Sequence, residues 1–265
     1  KIWQGADLIF DLDADHLKNA PKSYGGMLET VKKETEKLLA FLMSDFGFSE
    51  SRLAAVFSGG RGYHIHVRDQ RILSLGSDER REIVDYLAGR GLEMDRFIVM
   101  APMEGDWGKD RAFRLRAPAA EAAGWGKRIN RSIVSFVHSL RQQSEADAIA
   151  LLSKRKGIGP KRASSFYQSL QKENVLEEIE GGNLDLFRGS APIWKILLEE
   201  FLDEEGVKVG FDLDSERGKT DEPVTADVRR LIRCPGSLHG GSGLRVTPLS
   251  LSDLEEFDPL HDALV

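Results

Sequence analysis

Ala54-Ala55-Val56-Phe57-Ser58-Gly59-Gly60-Arg61-Gly62-Tyr63-His64-Ile65-His66-Val67 is the stretch whose reading decides the fold. Ala54–Phe57 is a short apolar strand, interrupted by a turn with three glycines in four positions. Beyond the turn Tyr63, Ile65 and Val67 fall on one side of a second strand, and His64 and His66 on the other. Strand, glycine turn and strand imply a sheet with one buried face. Asp7–Asp13, upstream, reads as a further strand. Leu8, Phe10 and Leu12 alternate there with Ile9, Asp11 and Asp13, so one face is apolar and the other ends in two carboxylates. Residues from about Met27 to Phe46 read as an amphipathic helix, with Val31, Leu38, Leu39 and Leu42 at helical spacing. Ser77–Leu87 opens with Ser-Asp-Glu-Arg, an N-cap with acids in the first turn, and continues as a helix.

The texture changes near Gly124. Strand patterns stop, and helices are expected at Ile129–Leu140, Glu145–Leu152, Lys161–Leu170 and Ile193–Leu202. From about Val207 the texture is mixed again, with Val228–Ile232 ahead of Pro235-Gly236. The expected architecture is α/β (α+β in detail), a mixed sheet flanked by helices. Residues 1–123 form the first part of the core, 124–205 an inserted helical subdomain, and 206–265 the returning part.

With 41% apolar and 30% charged residues in a chain of 265, the composition is that of a globular protein. No run approaches the ~18 apolar residues of a membrane helix, and Lys1–Asp7 lacks a signal-peptide pattern. The one cysteine, Cys234, excludes an internal disulfide and a cysteine-rich zinc site, and is compatible with a reducing, cytoplasmic setting. The net charge of −6 argues against a basic surface all over. The acids are concentrated in Glu199–Glu205 and Asp253–Asp258, so a local basic cleft is compatible with it.

Asp11 and Asp13, two apart on a strand, project from the same face. Carboxylates ~4 Å apart repel by roughly 4 kcal/mol at a dielectric near 20, a cost that a divalent cation between hard oxygen ligands removes. The plainer reading is a strand emerging into solvent. In the glycine turn, free backbone N–H groups and Arg61 suit phosphate oxygens, and His64 is placed to reach the same ligand. The plainer reading there is an ordinary hairpin with a surface arginine. A third piece runs Asp221-(eleven residues)-Arg233-(five residues)-His239, and contains Asp227, Arg229, Arg230 and Ser237. By itself it is compatible with a charged helix and its C-terminal turn.

Taken in order, Asp11-Leu-Asp13, Ser58-Gly-Gly-Arg61-Gly-Tyr-His64 and the Asp221–His239 region resemble the three signature regions of the small, catalytic subunit of archaeal/eukaryotic-type DNA primases. The archaeal branch is the expected source. The resemblance extends over most of the chain and is weakest at 124–205. It implies that Asp11, Asp13 and Asp221 hold two Mg²⁺ or Mn²⁺ ions. It also implies that Ser58, Gly59, Arg61, His64, Arg233 and His239 bind the phosphates of an incoming nucleotide. Nucleoside triphosphates, single-stranded DNA template and a primase large subunit are the implied partners, with no membrane, in the cytoplasm at the nucleoid. Many relatives carry a zinc knuckle between the first two regions; Ala14–Phe57 has His16 and no cysteine, so no structural zinc is expected. Against the family pattern the chain reads as trimmed at both ends, and weak activity alone is the expectation.

Three other readings compete. A repair polymerase of the same superfamily shares the first two regions. A dehalogenase-like phosphatase would use Asp11 as nucleophile, but Asp15 stands where that family usually has Thr or Val. Lys156-Gly-Ile-Gly-Pro-Lys-Arg-Ala163 resembles the hairpin of helix-hairpin-helix DNA-binding modules, or is a tight turn between helices. A second acidic pair, Asp212 and Asp214, reads as loop.

Overall fold

The structure, a computed structural model, describes residues 4–16, 21–102, 113–187, 189–206, 224–228 and 231–265. In chain order the elements are β1 (Leu8–Asp13), α1 (Tyr24–Ser44), β2 (Leu53–Phe57), β3 (Gly62–Val67), α2 (Ser77–Ala88), β4 (Val99–Pro102) and β5 (Phe113–Arg116). They continue with α3 (Gly124–Arg141), α4 (Glu145–Ser153), α5 (Pro160–Leu170), α6 (Val175–Glu180), α7 (Ala191–Glu205), β6 (Thr247–Leu249) and α8 (Pro259–Asp262). The chain divides into two compact units, 1–90 with 207–265, and 91–206.

The first unit is built on a four-stranded sheet of order β1-β3-β2-β6. Every neighbouring pair in it is antiparallel, so among the described strands the sheet is not the mixed one expected. The hairpin β2–β3 places β3 between β1 and β2, which therefore run in the same direction on either side of it. The register sets Leu8, Phe10 and Leu12 opposite Val67, Ile65 and Tyr63, and Leu53, Ala55 and Phe57 opposite the same three residues. These side chains are all buried, and α1 packs against β1 and β3 with Leu28, Val31, Leu38, Leu39, Phe41 and Leu42 inward. Each such chain contributes on the order of 1.5–3 kcal/mol through burial. Asp11, Asp13, His64 and His66 belong to the other face.

Helix α1 begins at Tyr24, earlier than the apolar spacing alone indicates, because Ser23 caps it and accepts from the Gly26 N–H. Helix α2 takes Gly76, not Ser77, as its cap and stops at left-handed Gly89. Its Arg80 is buried and donates to the carbonyls of Ala6, Asp7 and Leu75, which ties α2 to the entrance of β1.

The second unit opens at Gly91 rather than at the change of texture near Gly124. The reason is packing: Ile98 and Leu115, beside and within the β4–β5 ladder, enter the same core as Ile129, Ile133, Phe166, Trp194 and Leu197. Helices α3, α4, α5 and α7 contain the four expected ones, extended by a residue or more at one or both ends. Buried Asn130 on α3 donates its side-chain amide to the carbonyls of Pro118, Ile179 and Glu180, at 2.9, 3.3 and 3.2 Å. Asn130→Leu strips those carbonyls of their donor and is expected to cost about 2 kcal/mol, measurable as a lowered urea midpoint. The Gly157–Gly159 turn joins α4 to α5, with Gly157 at φ +100°, Ile158 buried and Gly159 as the N-cap of α5. No helix among the described residues is long and apolar enough to cross a membrane.

Candidate nucleotide and metal site

The β1–β3 register decides which polar groups meet. Asp11 lies opposite His64 and Asp13 opposite Gly62, so the acidic strand end and the glycine turn share one edge of the sheet. His64 Nε2 is 3.5 Å from Asp11 Oδ1. The His64 ring is only 2% exposed. Burial, helped by the positive charges of His66 and Arg233 and opposed by Asp13, holds its pKa down at about 4. At neutral pH it is therefore an uncharged imidazole beside a carboxylate. Its Nδ1 is buried and has no partner among the described residues.

The turn is closed by the Ser58 N–H donating to Gly62 O at 2.9 Å. Ser58 Oγ accepts from the Gly60 N–H at 3.3 Å, so this hydroxyl braces the turn from inside. Gly59 has φ +74°, and a Cβ there would meet His239 Cβ at 2.9 Å. Gly60 lies against the His239 ring, its position for a Cβ being 3.3 Å from Nε2. The glycines are thus needed for backbone conformation and for close approach.

Arg61 is held by acids. Its guanidinium donates to Asp15, and its Nε lies 3.8 Å from Asp13 Oδ1. That Asp13 oxygen also accepts the Asp15 N–H at 3.0 Å. Arg233 Nη1 donates to Ser58 O at 3.4 Å. His239 stands on a small hairpin in which its N–H donates to Leu244 O, while the Val246 N–H donates to Ser237 O. Between these parts is a cleft of about 280 Å³ lined by Asp13, Tyr24, Gly60, Arg61, Arg233 and His239, among others. Its wall sets the Asp13 carboxylate next to the Arg61 guanidinium, with Arg233 and the His239 imidazole on the same lining.

The structure therefore brings together Asp11, Asp13, Ser58, Gly59, Arg61, His64, Arg233 and His239. Asp221, and the second acidic pair Asp212 and Asp214, lie outside the described residues. Among the described residues no group of three or more His, Cys, Asp or Glu is arranged to hold a metal ion; Asp11 and Asp13 supply two carboxylates.

Sequence reasoning missed Tyr24 and Ser242. The Tyr24 hydroxyl donates to Gly60 O, 36 positions away in sequence. Burial raises its pKa, and Asp13 adds to the rise against Arg61. The local cue was Ser23-Tyr24-Gly25-Gly26 at a helix start, which says nothing about the partner. Tyr24→Phe is expected to cost about 1 kcal/mol of turn stability, read as a lowered urea midpoint.

The antiparallel sheet with an acidic strand end and a basic glycine turn defines a class of protein that sets paired carboxylates beside guanidiniums at one sheet edge. Residues 10–251 match the sequence model of the DNA primase small subunit. The chain belongs to that family. It is 53% identical over 269 residues to the DNA primase small subunit of Methanothrix thermoacetophila, an alignment covering 100% of this chain and 66% of that protein. It is 47% identical over 266 residues to that of Methanococcoides burtonii, with 100% and 65% covered. To the small subunit of Halobacterium salinarum it is 41% identical over 267 residues, with 100% and 64% covered. The chain thus spans 64–66% of the length of these relatives.

Proposed function

We propose that this chain carries the catalytic site of a primase small subunit, which builds short primers on a DNA template from nucleoside triphosphates. The observation that carries the reading is the placement of Asp13, Arg61, Arg233 and His239 around one cleft. Asp11 and Asp13 fit Mg²⁺ or Mn²⁺ as hard oxygen donors projecting side by side from one strand, with Asp221 as the third ligand. Two bound ions supply activation of a 3′-hydroxyl and stabilisation of the departing pyrophosphate.

The chain's own residues do the rest. Arg61 exchanges its partners Asp13 and Asp15 for phosphate oxygens, leaving Asp13 to the metal. Arg233 neutralises triphosphate charge as it shifts in the transition state, and His239 donates a hydrogen bond to a phosphate oxygen. Gly59–Gly62 let the nucleotide approach the backbone. His64, neutral and buried, holds its place beside Asp11. No protein nucleophile is required. Sequence information comes from base pairing, so contacts to the template are to its backbone. A large subunit is the partner, the setting is intracellular, and no structural zinc is needed.

The test is calorimetric titration of this chain with Mn²⁺ and a nucleoside triphosphate. Triphosphate binding that requires Mn²⁺ is the expected result; binding that ignores the metal, or no binding, overturns the reading.

A further inference from the structure

Ser242 lies on the cleft wall beside His239, and its hydrogen bonds determine what that histidine can do. The Ser242 hydroxyl donates to the carbonyl of Gly59, 183 positions away. A carbonyl only accepts, so the single hydroxyl proton is committed there. The same Oγ accepts the Leu244 N–H at 3.2 Å. His239 Nδ1 faces both Ser242 Oγ, at 3.0 Å, and the Ser242 N–H, at 3.1 Å. The backbone N–H has only a proton to offer, so Nδ1 is an acceptor. In a neutral imidazole the proton is then on Nε2. Nε2 is the ring atom nearest to where a Cβ on Gly60 would stand, and both residues line the cleft.

The structure assigns to Ser242 the role of a positioning residue that fixes His239 as the Nε2–H tautomer and fastens its hairpin to the glycine turn. An oxygen anion in the cleft needs a donor, and this tautomer offers one from a ring seated in advance. The fastening joins the two loops that carry Arg61 and His239, so their spacing is set before any ligand arrives. Preorganisation of that kind removes an ordering cost that binding otherwise has to meet. The identity of the anion as a nucleotide phosphate rests on the function proposed above; the tautomer and the fastening do not.

The test is ¹⁵N NMR of the histidine rings in the ligand-free chain at about pH 8, above the ordinary imidazole range, with His239 assigned through His239→Gln. Wild type, Ser242→Ala and Ser242→Thr are compared, together with Mn²⁺-dependent triphosphate binding. Wild type is expected to show one His239 tautomer, protonated on Nε2. Alanine keeps the N–H of residue 242, and with it the Nε2–H tautomer, but releases the hairpin from Gly59 O, so one tautomer and roughly ten-fold weaker binding are expected. Threonine restores the binding. A wild-type ring protonated on Nδ1, a wild-type mixture, or an alanine variant that binds as wild type does overturns the assignment. Absence of triphosphate binding in all three proteins overturns the nucleotide reading instead, and the spectra then decide the role of Ser242 by themselves.

Discussion

Replacing Asp11 and Asp13 together by alanine is expected to abolish the Mn²⁺-dependent triphosphate binding proposed for this site, with the fold retained. The loss follows from the chemistry of the site. Hard divalent cations need anionic oxygen, and alanine supplies none. A phosphoryl-transfer site without its cations loses both the activation of the attacking hydroxyl and the charge compensation of the leaving group. Retention of the fold follows from where the two groups stand. Their side chains are 37% and 27% exposed, at the polar face of a strand whose apolar face carries the packing. Same-face neighbours on a strand are about 6.6 Å apart, a separation at which two carboxylates repel by about 2–3 kcal/mol at a dielectric near 20. Solvent and the Arg61 guanidinium beside Asp13 reduce that figure, and alanine also removes the acceptor of the Asp15 N–H. These opposed effects leave the melting temperature of the double variant close to that of wild type. Calorimetry and a thermal melt on the same sample separate the outcomes. Lost binding with an intact melt supports a metal site in these two carboxylates; undiminished binding removes it.

The alternation in β1 and β3 was legible because each strand has one face wholly in the core and a side-chain period of two. Leu8, Phe10 and Leu12 against Asp11 and Asp13 left little choice. The helices of the second unit were legible for the same reason, with Ile129, Ile133, Val137 and Leu140 all buried along α3. What the sequence did not carry was pairing at a distance. Strand β3 lies between β1 and β2, and only that order puts His64 opposite Asp11. Helix α6 has six residues, too few for a periodic signal. Strand β6 has three residues with Pro248 in the middle, and pairs with β2 from the far end of the chain. Tyr24 and Ser242 were invisible because each acts through a hydrogen bond to a backbone carbonyl of the glycine turn, and a carbonyl leaves no mark in a sequence. Ile98 and Leu115 join the core of the second unit from the stretch before Gly124, which carries no periodic signal of its own.

Gly62→Ala is expected to destabilise the first unit by about 3 kcal/mol or more, the largest stability effect of any glycine substitution in the turn. The cause is distance alone. Gly62 begins β3 opposite Asp13, and a Cβ there would lie 1.9 Å from Leu12 O, 2.8 Å from Leu12 C and 3.0 Å from Asp13 Cα. All three atoms are backbone of the neighbouring strand, so no side chain can swing aside. Accommodation requires β1 and β3 to part at the end where Asp13 and Arg61 meet, and that opens the ladder beneath the site. Gly59→Ala differs in kind. It forces a side chain to φ +74° and presses it to 2.9 Å from His239 Cβ, a cost of about 1–2 kcal/mol that the hairpin bearing His239 can partly relieve by moving. Gly243→Ala is the control, because Gly243 has φ +74° but nothing within 4 Å of the added Cβ, leaving only the conformational cost. Urea midpoints should therefore fall in the order Gly62→Ala, Gly59→Ala, Gly243→Ala, with the first lowest. Mn²⁺-dependent binding separates them again. Gly59→Ala should lose affinity beyond its loss of stability, because it displaces the residue that presents the donor, whereas Gly243→Ala should retain affinity. A Gly62→Ala protein as stable as wild type would mean that β1 and β3 do not approach at Leu12, and the juxtaposition of Asp13 with Arg61 would fall with it.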